Sequence, residues 1–331
     1  YADHLEKIAF NALPAQVSFL PSGPEALRAG LTGLLYAGRR RGDKAVLSAV
    51  EHSALLLTAR AQGPSASLEV PVDSLGRVSL AEWREAIEHE GVVAGALQRA
   101  NAEVGTTQPI DEALEVCRAA GRPLLIDLTA SLGRLEVPAD WDVLAADARS
   151  FGGPPGVGIL AVRDGVRWAL PGPRSEFESG RATAEPVIPL VVAAAAAWES
   201  VAASRSEDAT DSFRLIDVIR QAAAGIENVD VLGDAVDRLP HVVTLSALYL
   251  SGEAVVGELD RRGFAVSSGS MCTASTLEPS HVLAAMGAVT HGNIRVTLPL
   301  LSTNSHRSVD VDQFVSEVPI VIGKLRDELE L

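Results

Sequence analysis

At 331 residues, with 47% hydrophobic and 21% charged side chains, the chain can bury a large core, and neither disorder nor a membrane span is expected. Its formal net charge of −15 argues against nucleic acid and anionic lipid as partners, because both are held by clustered lysine and arginine. Two cysteines, Cys117 and Cys272, make neither a disulfide framework nor a metal cluster, and with no secretory pattern at its start the chain reads as cytoplasmic.

Strand and helix signals then alternate, the pattern of a mostly parallel sheet covered by helices. Residues 15–23, AQVSFLPSG, read as a strand running into a turn, and Pro24 opens a helix over residues 25–38, since proline is tolerated in a first helical turn. The run Arg39-Arg40-Arg41 reads as the solvated end of that helix, where positive charge complements the dipole. KAVLSAV (44–50) is a strand, and Glu51-His52 turns the chain into the helix SALLLTARAQ. ASLEVPVD follows as a strand, SLAEWREAIEHE as a helix capped by Ser79, and VVAGALQRAN as a strand. DEALEVCRAAG is the next helix and leads to the buried strand PLLIDLT (123–129). In FGGPPGVGIL (151–160) a rigid Gly/Pro turn feeds an apolar strand from near Val157, and PLVVAAAAAWESVAA (189–203) reads as a packed helix.

From about residue 206 the rhythm changes. Amphipathic DSFRLIDVIRQAAAGI precedes HVVTLSAL, EAVVGELDRRGFAVSSG and GNIRVTLPL, and a long helix starts near Val309. The expected organisation is a large α/β domain over residues 1–205 and a smaller α+β domain over 206–331.

Four loops at strand ends invite a chemical reading, because ligands of open α/β sheets sit outside the carboxyl ends of the strands. His52, directly after a strand, has the chemistry to stack on a planar ring or to act as acid or base; the alternative is a helix cap. Asp127 ends a very apolar strand, so it either meets a cationic partner such as a protonated pyridine nitrogen or caps the following turn. RANAEVGTTQP (99–109) carries the carboxamide of Asn101 and the carboxylate of Glu103. AVSSGSMCTASTLEPSHVL (265–283) places Cys272 among small and hydroxyl residues, a setting for a reactive thiol, whereas Cys117 reads as a core residue.

The order EHSA, NAEVG, DLTASLG, FGGPPGVG, SSGSMCT with LEPS, and NIRVTL resembles the cysteine desulfurase family, a branch of the class V aminotransferases. The resemblance runs over nearly the whole chain from about residue 15. It implies the fold-type I aminotransferase-like architecture: a large domain with a mostly parallel sheet covered by helices, plus a smaller α+β C-terminal domain. It also implies pyridoxal phosphate as cofactor, a dimer and a sulfur-acceptor protein as partner. By motif position Cys272 would be the sulfur acceptor, His52 would stack on the pyridine ring, Asp127 would pair with its nitrogen, and Arg295 would grip the substrate carboxylate. Asn101 is carried over as a substrate contact, and Arg149 and Ser150 as the cofactor loop.

The departures from the family pattern cluster around one ligand. Where the family reads Ser-x-His-Lys before the Gly/Pro turn, this chain has Asp147, Ala148, Arg149 and Ser150, so the aldimine lysine is replaced by a residue that forms no Schiff base. The three lysines of the chain, Lys7, Lys44 and Lys324, lie in no motif that would substitute for it. Pro24 replaces the Thr of a Gly-Ala-Thr phosphate turn. Ala102, Ala130 and Ala184 replace an Asn, a Gln and a Thr. Two readings follow. In one the chain is a pseudoenzyme that does not bind the cofactor covalently and serves, as homodimer or as heterodimer with a related subunit, as scaffold or as Cys272 persulfide acceptor. In the other it is an active desulfurase or lyase with noncovalently held cofactor.

Overall fold

The computed structural model describes residues 16–173, 175–268 and 279–329. Cys272 lies outside the described residues. The chain divides into two compact units. One takes the chain up to Val72 with Arg77–Ala100 and Gln108–Arg205; the other takes Asp73–Gly76, Asn101–Thr107 and the chain from Ser206 on.

The first unit is a seven-stranded sheet of β1 (Val17–Leu20), β2 (Lys44–Ser48), β3 (Ser67–Val70), β4 (Val92–Gln98), β5 (Leu124–Asp127), β6 (Val143–Asp147) and β7 (Gly158–Val162), in the order β1-β7-β6-β5-β4-β2-β3. Neighbours from β6 to β3 pair parallel, while β7 pairs antiparallel with both β6 and β1. β4, β5, β6 and β7 are buried along their whole length, so short, almost wholly apolar runs such as Leu124-Leu125-Ile126 suffice to specify them. The helices of this unit are α1 (Gly23–Gly38), α2 (Ser53–Arg60), α3 (Leu80–Glu88) and α4 (Ile110–Ala119). Leu27, Leu31, Leu34 and Leu35 of α1 pack with Leu47, Leu125 and Leu160 of the sheet. Helix starts follow local chemistry: Ser22 caps α1 with Pro24 in its first turn, and Ser79 caps α3 through the Glu82 amide.

The expected fold class holds. Two strands escape the sequence reading, β6 and, in the second unit, β8 (Val229–Leu232). The helices expected over 189–203 and 211–226 form one helix, α5 (Ile188–Ala224). The polar stretch between them, Ser204 to Thr210, interrupts the apolar pattern without breaking the helix, since it holds no Gly or Pro.

In the second unit β8, β9 (Val242–Ala247) and β10 (Asn293–Thr297) form an antiparallel sheet in the order β10-β9-β8. Around it lie the later part of α5, α6 (Gly252–Arg261), the short α7 (His281–Ala285) and α8 (Arg307–Glu328). Its core joins Ile216 and Ile219 to Val243, Leu245, Phe314 and Val321. Arg307, 1% exposed, is held inside this unit by Asp208 at 2.7 Å and Asp211 at 2.8 Å, with the carbonyl of Pro299 accepting at 2.9 Å.

Candidate functional site

The carboxyl ends of β2, β4, β5 and β6 bring polar side chains to one edge of an otherwise apolar sheet. β2 runs into Glu51 and His52, β4 ends at Gln98, β5 at Asp127 and β6 at Asp147. Gln98 and Asp127 are register partners on adjacent strands. His52 is the N-cap of α2, its Nδ1 accepting the Ala54 amide at 3.0 Å, and Asp127 accepts the Thr129 amide at 2.6 Å. Both make the local capping bond that is the alternative to a ligand role. Burial pushes the Asp127 carboxyl above its usual range, opposed by the nearby His52 and by the Thr129 hydrogen bonds.

Glu51 is a site residue that the sequence reading treated only as a turn. It is fully buried, and its Oε1 accepts the Gln98 amide at 3.0 Å while Gln98 Nε2 donates to the Val50 carbonyl at 2.8 Å. Burial raises its pKa well above the usual value, with the Asp127 charge adding to the effect. A charged residue directly after an apolar strand was the available signal, the same one that marked Asp127. A carboxyl whose folded pKa lies above its unfolded value contributes fully below the ordinary value of 4.5, and that contribution is lost as pH rises through the folded pKa. Glu51→Gln, which keeps an acceptor for the Gln98 amide, is therefore expected to raise stability at pH 8 more than at pH 4. Denaturant titrations at both pH values measure this.

Asp147, with 6% of its side chain exposed, lies against the N-terminus of α1. The Gly23 amide donates to Oδ2 at 2.9 Å, and Arg149 donates through its own amide (2.9 Å) and Nε (3.0 Å) to Oδ1 and through a terminal guanidinium nitrogen (3.0 Å) to Oδ2. Burial alone would push its pKa up, but these bonds from Arg149 and Gly23 outweigh burial and hold it below the usual carboxylate range. A helix N-terminus is a natural anion seat, and here a side chain of the same chain fills it. Gly23 makes the room, since a Cβ there would come within 2.6 Å of the Asp147 Cβ. Ser150, in the one-turn helix Ala148–Phe151, donates its hydroxyl to the Asp147 carbonyl at 2.7 Å.

The remaining expected site residues fall in the second unit. Arg295, in β10, donates to the Ala102 carbonyl at 3.2 Å. Asn101, 3% exposed, accepts the Glu103 and Val104 amides on its side-chain oxygen, so that oxygen organises its own loop. Glu103, singled out in the same loop but given no role, accepts from the Ser280 hydroxyl at 2.8 Å; burial raises its pKa, against that bond and the charges of Arg295 and His281.

The family model for class V aminotransferases matches residues 6–313. The chain is 34% identical over 325 residues to cysteine desulfurase IscS 1 of Archaeoglobus fulgidus, covering 96% of this chain and 83% of the relative. It belongs to the cysteine desulfurase branch of that family. A cysteine desulfurase IscS of Methanosarcina thermophila is 31% identical, with 96% and 80% covered. Among solved structures, a NifS-like protein superposes with a TM-score of 0.87 at 23% identity, covering 98% of this chain and 87% of the other. The apo cysteine desulfurase of Thermococcus onnurineus NA1 gives 0.81 at 20% identity, covering 98% and 83%.

Pyridoxal phosphate is the cofactor that the family implies, and the resemblance would set His52 and Asp127 against its ring. The anion seat and the linkage position of this chain do not fit the group. A phosphate brought to α1 would meet the ionised Asp147 carboxylate, and Pro24 has no amide hydrogen to offer it. At the linkage position Ser150 carries a hydroxyl tied to backbone. Lys44, the one lysine among the described residues of this unit, starts β2, at the opposite end of that strand from His52, and donates to the Glu90 carbonyl at 3.1 Å. Among the described residues no group of His, Cys, Asp and Glu is placed to hold a metal, and no helix is long and apolar enough to cross a membrane.

Proposed function

We propose that this chain is a degenerate cysteine desulfurase homologue that forms no pyridoxal phosphate aldimine and serves sulfur transfer as a dimeric partner, with itself or a related subunit, or as a persulfide acceptor on Cys272. The single observation that carries the reading is the Asp147 carboxylate seated on the Gly23 amide, with Ser150 beside it in place of an amine. As acceptor, the Cys272 thiolate attacks the outer sulfur of a donor persulfide R–S–SH. The S–S bond of the donor breaks, R–SH leaves with the proton, and Cys272 carries the transferred sulfur with no change in total oxidation state. The second reading, an active desulfurase or lyase with noncovalently held cofactor, draws on His52, Asp127 and Arg295 as the family's residue types.

Purified protein given pyridoxal phosphate and cysteine is expected to stay colourless and to release no sulfide; a yellow protein with turnover overturns the proposal. Incubation with glutathione persulfide is expected to add one sulfur, lost in Cys272→Ser. Cys117 supplies an internal control, because it is fully buried and burial pushes its thiol pKa up to about 12. In the native protein iodoacetamide should label Cys272 and spare Cys117, and equal labelling removes the acceptor role.

A further inference from the structure

The arginine run after α1 leads to a second cavity, at the amino ends of the strands. Among the residues lining its space of about 410 Å³ are Arg41, Arg118, Arg122 and Arg167 beside Asp142, with an apolar wall of Leu34, Val93 and Val166. Pro123 and Asp142, just before β5 and β6, place it at the opposite edge of the sheet from Asp127 and Asp147.

The charges in this cavity do not cancel. Asp142 is already held by Arg118 at 3.0 Å and by Arg163 at 2.6 Å, and Asp140 pairs with the same Arg118. Arg41, Arg122 and Arg167 have no carboxylate partner among the described residues, and the Nε of Arg122 is buried without an acceptor. A buried guanidinium N–H without an acceptor is costly, and three uncompensated cations converging in a chain of net charge −15 call for an anion.

All three positions are fixed by backbone. The Arg41 amide bonds to the Gly38 carbonyl at 2.8 Å, and the Arg122 amide bonds to the Cys117 carbonyl at 2.8 Å after Gly121 turns with φ +67°. Arg167 sits in a segment pinned to α1, where the Trp168 indole donates to the Gly30 carbonyl at 3.1 Å and the Ala169 amide to the Gly33 carbonyl at 3.2 Å. Arg39, by contrast, lies over the Tyr36 ring and bonds the Tyr36 carbonyl, as a helix end would have it.

We propose that this arginine cavity is a binding site for a small polyanion carrying two or more phosphate or carboxylate groups, with its carbon skeleton on the Leu34–Val93–Val166 wall. One charged group would leave two of the three cations unmatched. Planar guanidinium forks grip phosphate and carboxylate alike, so two probes decide the source.

Titration calorimetry of the full chain at constant ionic strength, with inorganic pyrophosphate and with citrate, is expected to give one saturable site per chain for at least one of them. The tighter probe identifies phosphate or carboxylate as the preferred group. Arg122→Gln and Arg167→Gln should each weaken binding by about tenfold without lowering the thermal midpoint, while Arg326→Gln, at a half-buried arginine of α8 that bonds the Asn228 carbonyl, leaves the affinity unchanged. No saturation with either probe, retained affinity in both pocket variants, or an equal loss in Arg326→Gln overturns the site. None of these readouts depends on sulfur chemistry, so the outcome is independent of the proposed function.

Discussion

Adding Asp147→Ser to a Ser150→Lys background is expected to improve pyridoxal phosphate binding by roughly tenfold to a hundredfold over Ser150→Lys alone. The lysine variant supplies the amine but leaves an ionised carboxylate on the Gly23 amide, where the phosphate would have to sit. Two anions cannot share one helix N-terminus without a large repulsion, and at a site with 6% exposure solvent screens little of it. Serine keeps a small polar side chain and removes the charge. The measurement is the visible absorption of the bound cofactor against added pyridoxal phosphate. Equal affinities in the single and double variants would mean that Asp147 does not control the seat. Arg149, left without its carboxylate partner, becomes an additional cation for the incoming phosphate.

The largest stability effect is expected at Arg307. Arg307→Met removes the guanidinium paired with the buried Asp208, 4% of whose side chain is exposed, and breaking such a buried pair costs about 3–5 kcal/mol. The Leu301 amide, which donates to Asp208 at 2.7 Å, would remain but carries no charge. Removing both charges together, as Arg307→Met with Asp208→Leu, should recover much of the loss, because two well-packed apolar side chains replace an ion pair at little net cost. Denaturant unfolding of the two variants measures the difference. A single variant no worse than the double would place the stabilisation elsewhere. The effect should appear as a loss of cooperativity, since Arg307 joins α8 to α5 within the second unit.

Much of the first unit was legible because its strands are short apolar runs between turn signals, and because Ser79 and Pro24 announce helix starts. β6 was not, since its run Val143-Leu144-Ala145-Ala146 lies between aspartates and carries only one β-branched residue, a weak strand signal that sheet burial overrides. The continuity of α5 was hidden by its polar middle. At the candidate site, the strand-end rule pointed to His52 and Asp127 and applies equally to Glu51. The meaning of Ser150 came only through the family resemblance. The contact that matters most, Gly23 to Asp147, joins residues 124 positions apart, and neither residue type by itself announces the other. The arginine run was read as a solvated helix end, which describes Arg39. Arg41 meets Arg122 and Arg167 only once the turns after α1, α4 and β7 are folded onto one edge.

An enzyme that seats a ligand anion on a helix gains folded stability by mass action, in proportion to the logarithm of ligand concentration over its dissociation constant. With Asp147 covalently part of the chain, the anion at α1 is present at a fixed effective concentration from the moment the sheet closes. The melting temperature of this protein should therefore be indifferent to vitamin supply, and so should its half-life against proteolysis. Under the proposed partner role, such a subunit would be folded and available whether or not a holoenzyme beside it has found its cofactor.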